Sequence, residues 1–150
     1  YGVNPFPKNH KLHKALGGLK PAMRLVSTIT KVIDLKKGDK VSYNYTFTAP
    51  KKMRIGVLPL GYFEGVNRAL SNEGAVKIGK QFMPIVGRVC MNHTMVSLEG
   101  LHAAVGHEVV VYSNNPKDRN SIDSIAAEHN LFNYTLLTSL SSDVRRVMVE

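Results

Sequence analysis

Two short segments of this chain carry residue types that do chemistry. The first is Leu58-Pro59-Leu60-Gly61-Tyr62-Phe63-Glu64-Gly65, where an apolar run stops at a proline and two glycines bracket an aromatic pair and a carboxylate. Glycines beside a strand end let the backbone turn sharply. A phenol presented there, on a loop carried by a rigid sheet, is in a usual place for function. The same residues also read as an ordinary turn with a half-buried tyrosine. The second segment is Pro84-Ile85-Val86-Gly87-Arg88-Val89-Cys90-Met91-Asn92. Arg88 interrupts an apolar run, where a lone cation must find a partner or reach water. Gly87 beside it permits close backbone approach. The plainer alternative is an arginine snorkelling at a sheet edge.

Other chemistries find little support. The six histidines are His10, His13, His93, His102, His107 and His129. His10 and His13 stand three apart, but no cysteine or carboxylate follows at zinc-site spacing, so no metal site is expected. The glycine-rich spots lack the GxGxxG and GxxxxGK[ST] patterns, and no GxSxG elbow supports a serine nucleophile. Cys90 is the single cysteine. One thiol makes neither an internal disulfide nor a thiol-rich metal site, which fits a reducing cytoplasm. Its apolar surroundings predict a buried, inert side chain.

The elements that must position these segments are mostly strands. Residues 1–22 read as an irregular opening, punctuated by Pro5, Pro7, Gly17, Gly18 and Pro21, with room for a short helix only around Lys11–Leu16. Arg24–Ile33 is rich in β-branched residues and predicts a strand. Val41–Thr48 alternates strictly: Val41, Tyr43, Tyr45 and Phe47 share one face, and polar residues share the other. That period of two is what a half-buried strand needs. Arg54–Leu60, Ala75–Ile78, Phe82–Val89, Thr94–Leu98 and Glu108–Tyr112 add further strands. Gly79-Lys80 forms a hairpin turn, and Asp143–Val149 closes the set. One helix is expected at Ile122–His129, capped by Asn120 or Ser121 and ended by Asn130 in the left-handed conformation. Short strands with turn signals between them predict a mainly β fold: a small, closed or partly closed, Greek-key-like β-barrel with one or two short helices.

The chain's 150 residues suffice for one domain with its own core. No run of about 18 apolar residues crosses a membrane, and no signal peptide opens the chain. The first residue is Tyr1, as in a piece of something longer. The net charge of +9 is uneven: the first forty residues hold nine Lys/Arg against Asp34 and Asp39, a net of +7. Such a block marks a nucleic-acid partner or a solvated face. Without aromatics interleaved among the lysines, the solvated face is the better reading.

Taken in order, the segments resemble alanine racemases. The matching residues are Leu19-Lys20-Pro21-Ala22-Met23, Gly38-Asp39-Lys40-Val41-Ser42-Tyr43, Leu60-Gly61-Tyr62 with Gly65 and Arg68, Leu70-Ser71-Asn72, and Pro84 through Met91. Val105-Gly106-His107-Glu108-Val109, the helix near Ala126, Asn133-Tyr134 and Arg146 continue the series. Any one motif is weak; the ordered set, which covers the chain from Leu19 on, is strong. The resemblance implies residues 1–20 as an irregular segment following a (β/α)₈ barrel outside this chain, and residues 21–150 as the C-terminal β domain. It further implies pyridoxal phosphate, bound to a lysine of that barrel, with alanine as substrate and a head-to-tail homodimer. The product, D-alanine, would serve cell-wall peptidoglycan.

The resemblance makes Tyr62 one of two catalytic bases, reaching into the partner's site. Removing the α-proton from one face and returning one on the other favours two bases, and the cofactor acts as electron sink. A free phenol titrates near pH ~10, so such a base needs cationic or hydrogen-bonding help, mostly from the barrel. The Met91 backbone is the implied contact for the substrate carboxylate, with Arg88 and Asn92 at the active-site entrance. Departures are Asn92 and Glu64 where the family often has Asp, Ser142 where some members carry a phosphate-binding Tyr, and Asp143 where Arg is frequent. Asn92 removes a negative charge at the entrance. Ser142 reaches less far toward phosphate, and Asp143 disfavours an anion. The isolated chain is expected to be inactive. Alternatives are another amino-acid racemase, a related pyridoxal-phosphate decarboxylase, or a basic nucleic-acid-binding β-barrel.

Overall fold

The computed structural model describes residues 2–6, 10–16 and 19–148. In chain order its elements are β1 (Leu25–Thr28), β2 (Lys31–Leu35), β3 (Lys40–Val41), β4 (Phe47–Thr48), β5 (Met53–Leu58), β6 (Ala75–Ile78), β7 (Gln81–Pro84), β8 (Thr94–Ser97), β9 (Glu108–Tyr112), α1 (Ile122–Glu128) and α2 (Asn133–Thr138). The fold is mainly β with two short helices, as expected. One sheet has the order β1-β9-β6-β7, a second the order β2-β5-β8, and β3 pairs with β4 alone. All pairings within these sheets are antiparallel.

Two segments pass from one sheet to the other. The β-branched run expected as one strand is two, because the chain changes sheets at Ile29-Thr30. Ile29 N donates to His107 O (3.0 Å) beside the first sheet, and Thr30 N donates to Val57 O (2.9 Å) in the second. The second crossing ends the strand expected over Phe82–Val89 at Pro84. Ile85 N donates to Gly74 O and Val86 N to Met95 O, each at 2.9 Å, and Ile85 forms a lone bridge with Val96.

Val41–Thr48 departs most from expectation. Ser42, Asn44 and Tyr45 take positive φ values of 67°, 59° and 53°. The alternating run therefore folds into the β3–β4 pair around a 3₁₀ turn at Tyr43–Tyr45. Tyr43 and Tyr45 are exposed, although the alternation placed them inward. Tertiary contact overrides the period: Ser42 Oγ donates to Arg88 O (2.9 Å), and Asn72 Nδ2 donates to Thr46 O (3.4 Å). Gly87 (φ 79°) leaves the room, since a Cβ there would lie 2.6 Å from Ser42 Cβ.

The closing strand expected at Asp143–Val149 is absent over residues 143–148. Val147 and Met148 are exposed. Arg146 instead donates to the carbonyls of Leu140, Ser141, Ser142 and Val144, curling the tail on itself. Near the start, only Lys14–Leu16 forms a short 3₁₀ turn. Tyr1, Pro7, Lys8, Gly17, Gly18 and Val149 lie outside the described residues.

The core fills the space between the two sheets and the helices. Leu58, Val76, Val96, Val109, Tyr112 and Leu136 are fully buried in it. Each such apolar side chain contributes about 1.5–3 kcal/mol. A smaller cluster of Leu35, Val41, Ala49, Met53, Ile55 and Val86 lies under the β3–β4 pair. The expected helix is α1. Ser121 Oγ accepts from Ser124 N, Ile122, Ile125 and Ala126 face the core, and Asn130 follows in the left-handed conformation. α2, the second short helix, for which no range was expected, buries Leu136 and Leu137.

Tyr112 ties this core to the loop that follows β5. Its hydroxyl donates to Gly65 O (2.9 Å) and accepts from Asn67 N (3.0 Å). Burial pushes the phenol from 10.0 up to about 12, against the opposing pull of the Asn67 N–H. Above pH ~10 the unfolded chain therefore loses this proton while the folded chain keeps it, so stability falls as pH rises. Urea unfolding should lose about 2–3 kcal/mol from this group between pH 10 and 12. A Tyr112→Phe protein should lack that component. An unchanged alkaline slope in the variant would remove Tyr112 as its source.

Candidate active site

Three loops meet at one edge of the sheets: residues 42–46, 59–72 and 85–93. The middle loop is fastened to the third along its backbone. Tyr62 N donates to Cys90 O and Phe63 N to Met91 O, each at 2.9 Å. This contact requires Gly61, because a Cβ there would meet Cys90 O at 2.1 Å and Met91 O at 2.3 Å. Glu64 closes the turn. One carboxylate oxygen accepts from Gly61 N (2.7 Å), and the other accepts from Asn92 Nδ2 (2.8 Å). Gly65 (φ 105°) is packed so closely on Leu140 that a Cβ would lie 2.9 Å from Leu140 Cα, so the end of the helical layer supports the loop from behind.

The loop's far end is equally fixed. Asn67 Oδ1 accepts from Ala69 N (2.9 Å) and caps a 3₁₀ turn over Arg68–Leu70. Ser71 Oγ donates to Arg68 O (2.6 Å) and accepts from Val89 N (3.0 Å). Asn72 Oδ1 accepts from Gly87 N (2.6 Å). On this frame Tyr62 is 45% exposed and Phe63 46%. The Arg68 guanidinium lies over the Tyr62 ring, 5.5 Å from its centroid.

The structure brings Tyr62, Met91 and Asn92 together, with Arg88 half-buried on the same loop. The Met91 side chain is exposed. Its N–H donates to no protein oxygen among the described residues. Asn92 engages Glu64 through its side-chain amide. Cys90 is half-buried rather than buried, with Sγ 3.5 Å from both Ser42 Oγ and Arg88 O. The strand that would have enclosed it has already ended. Ser142 does not join the group through any described contact; it is exposed in the tail, with its hydroxyl on Asp143 Oδ1 (3.4 Å).

Residues 22–148 match the family model described as alanine racemase, C-terminal domain. This chain belongs to that family. The alanine racemase of Lactobacillus acidophilus is 39% identical over 152 residues, covering 100% of this chain and 40% of the relative. The crystal structure of alanine racemase from Streptomyces lavendulae superposes with a TM-score of 0.87 at 27% identity, covering 100% of this chain and 39% of that one. The alanine racemase of Bartonella henselae, solved with covalently bound pyridoxal phosphate, matches in fold with a TM-score of 0.77 at 22% identity over 84% of this chain and 34% of its own. The chain spans about two fifths of the length of these relatives.

For an alanine racemase C-terminal domain, the cofactor question is whether these residues hold pyridoxal phosphate. By themselves they do not fit it. The three loops contain no lysine, and an anion at Ser142 would meet the Asp143 carboxylate. Among the described residues no group of three or more His, Cys, Asp or Glu side chains is arranged to hold a metal ion. No helix among them is long and apolar enough to cross a membrane. A cleft of about 610 Å³ lies elsewhere and includes Arg24, Lys77, His102, Glu108 and Asp118. Its charges are paired internally: Arg24 with Glu108, and Lys77 with Asp118 at 2.7 Å. Burial raises the Asp118 carboxyl, but Lys77, Ser113 and Asn115 outweigh it and hold the group below its usual range. Such a satisfied network is structural.

The Glu64–Asn92 clamp, the placement of Arg68 and the role of Tyr112 carry no signature in the sequence as read. Only the Asn67 cap had a local signal. We expect Asn92→Asp to set two carboxylates against each other and loosen the loop. The full-length variant should melt a few degrees lower at neutral pH, and the deficit should shrink in mild acid as the pair takes up a proton. Equal melting temperatures across that range would show that the clamp carries no strain-bearing load.

Proposed function

We propose that this chain is the part of an alanine racemase that supplies Tyr62 as one of two bases for the α-carbon of alanine. The observation that carries this reading is the half-exposed Tyr62 ring on a backbone locked to Cys90 and Met91. A base must be held within hydrogen-bond reach of one proton, and a loop fixed at both ends meets that demand. The unengaged Met91 N–H, next along the surface, suits a substrate carboxylate. Arg88 favours an anionic group approaching the entrance, and Asn92 holds Glu64 instead of adding charge.

The rest follows from the family. Pyridoxal phosphate and its lysine belong to the remaining three fifths of the enzyme, and this domain reaches a partner subunit's site in a head-to-tail homodimer. Exposed Tyr43, Tyr45, Tyr62, Phe63 and Met91 on the three loops support a surface that another subunit covers. Ser142, whose hydroxyl is on Asp143 Oδ1, is left out of the phosphate-binding set. The two sheets, bridged at Ile85–Val96 and shared by the chain at Ile29-Thr30, read as a partly closed barrel. The cellular role is D-alanine supply for peptidoglycan in the cytoplasm.

In the full-length enzyme, Tyr62→Phe should lose α-proton exchange on one face by at least ~100-fold, within the range of a positioned acid–base group, while cofactor binding persists. Parent rates in both directions would overturn the assignment. The 150 residues alone, mixed with alanine and pyridoxal phosphate, should racemise no faster than free cofactor; a clear excess would place a complete site within them.

A further inference from the structure

We propose that Arg68 is a positioning residue for Tyr62: its guanidinium, 5.5 Å from the ring centroid, holds the phenol in one orientation. This inference rests on the reading of Tyr62 as a base and adds what aims it. A tyrosine exposed to 45% on a loop has more than one staggered side-chain orientation open to it. The backbone bonds to Cys90 and Met91 fix where the side chain starts, not where the ring points. Arg68 supplies the missing constraint, because a cation over an aromatic face is attracted by the ring quadrupole.

The arrangement is built rather than incidental. Arg68 opens the 3₁₀ turn capped by Asn67, and its carbonyl accepts from both Ser71 N (3.1 Å) and Ser71 Oγ (2.6 Å). Ser71 Oγ in turn accepts from Val89 N. The root of the arginine and the root of the tyrosine are therefore tied to the same segment, residues 89–91. The Arg68 guanidinium makes no ion pair and no hydrogen bond among the described residues. Nothing there draws it off the ring. The other charged or titratable groups of the two loops are Glu64, Arg88, Cys90 and His93. Glu64 is committed to Gly61 and Asn92, and Cys90 lies beside Ser42 and Arg88 O. No ring contact by Arg88 or His93 accompanies that of Arg68.

The test uses the full-length holoenzyme with Arg68→Met, Arg68→Gln and Arg68→Lys. Arg68→Met and Arg68→Gln should lower kcat by about two- to fivefold, the ratio an exposed cation–π contact sets between held and swung-out rings. KM for alanine should barely move. The α-deuterium isotope effect should rise in the direction in which Tyr62 removes the proton, and much less in the other. Arg68→Lys, which keeps the cation but not the flat stacking surface, should recover most of the loss. In a Tyr62→Phe background, Arg68→Met should have no further effect. With isotope-labelled tyrosine, the Tyr62 ring signal of cofactor-free enzyme should broaden or average in Arg68→Met and stay sharp in Arg68→Lys. Parent-like kinetics and ring signal in Arg68→Met, with Tyr62→Phe still impaired, would overturn this inference alone. Equal isotope effects in both directions, or losses that persist in the Tyr62→Phe background, would reduce Arg68 to a structural residue and also overturn it. Parent-like Tyr62→Phe would instead overturn the base assignment beneath it.

Discussion

The contact between the backbone of residues 61–63 and the carbonyls of Cys90 and Met91 is the constraint on which the site depends. Two N–H groups that would otherwise face solvent are paired there, and the separation leaves no space for a Cβ on Gly61. Backbone donors and acceptors at such a junction must be satisfied, so the loop has one register against its neighbour. Glu64 reinforces that register with an ionised acceptor, which makes stronger hydrogen bonds than a neutral one. Every residue assigned a role near Tyr62 inherits its position from this pairing.

The core reaches the same loop by a different route. Tyr112 spans from β9 to Gly65 and Asn67 with a hydroxyl that both donates and accepts. A buried phenol left without partners would be costly, so the loop is held in place by the same group that needs it. α2 contributes from behind through Ser139 and Leu140, against which Gly65 is packed. A loop supported from the sheet, the core and a helix end can leave its aromatic side chains exposed without moving. That combination of rigid backbone and open side chains is what the proposed role of Tyr62 requires.

Much of this was legible in the residues. β-branched runs, the Gly79-Lys80 turn and the Ser121 cap located strands and a helix close to where they lie, because each is a local preference read within a few residues. Local rules failed at Val41–Thr48, where alternation was perfect and the strand did not form. Docking of Ser42 and Thr46 on Arg88 and Asn72 outweighed a backbone preference that is weak and dependent on context. The strand expected at Asp143–Val149 failed over residues 143–148, where Arg146 draws the tail onto the carbonyls of Leu140, Ser141, Ser142 and Val144. The single β-rich run at Arg24–Ile33 concealed a change of sheet, which no periodicity records.

By itself, the sequence determined the family through its ordered motifs and the mainly β class through composition and turn residues, and it singled out Tyr62 through the resemblance, since its bracketing glycines alone read as an ordinary turn. These are statements about which residues occur and in what order. Tertiary structure decided which groups meet. Arg68 lies six residues from Tyr62, Asn92 twenty-eight from Glu64, and Tyr112 forty-seven from Gly65. No single helix or strand spans any of these pairs, so no periodic pattern brings them together. They meet because two loops share hydrogen-bonded backbone and one buried hydroxyl, an arrangement set by the closure of long chain segments on each other.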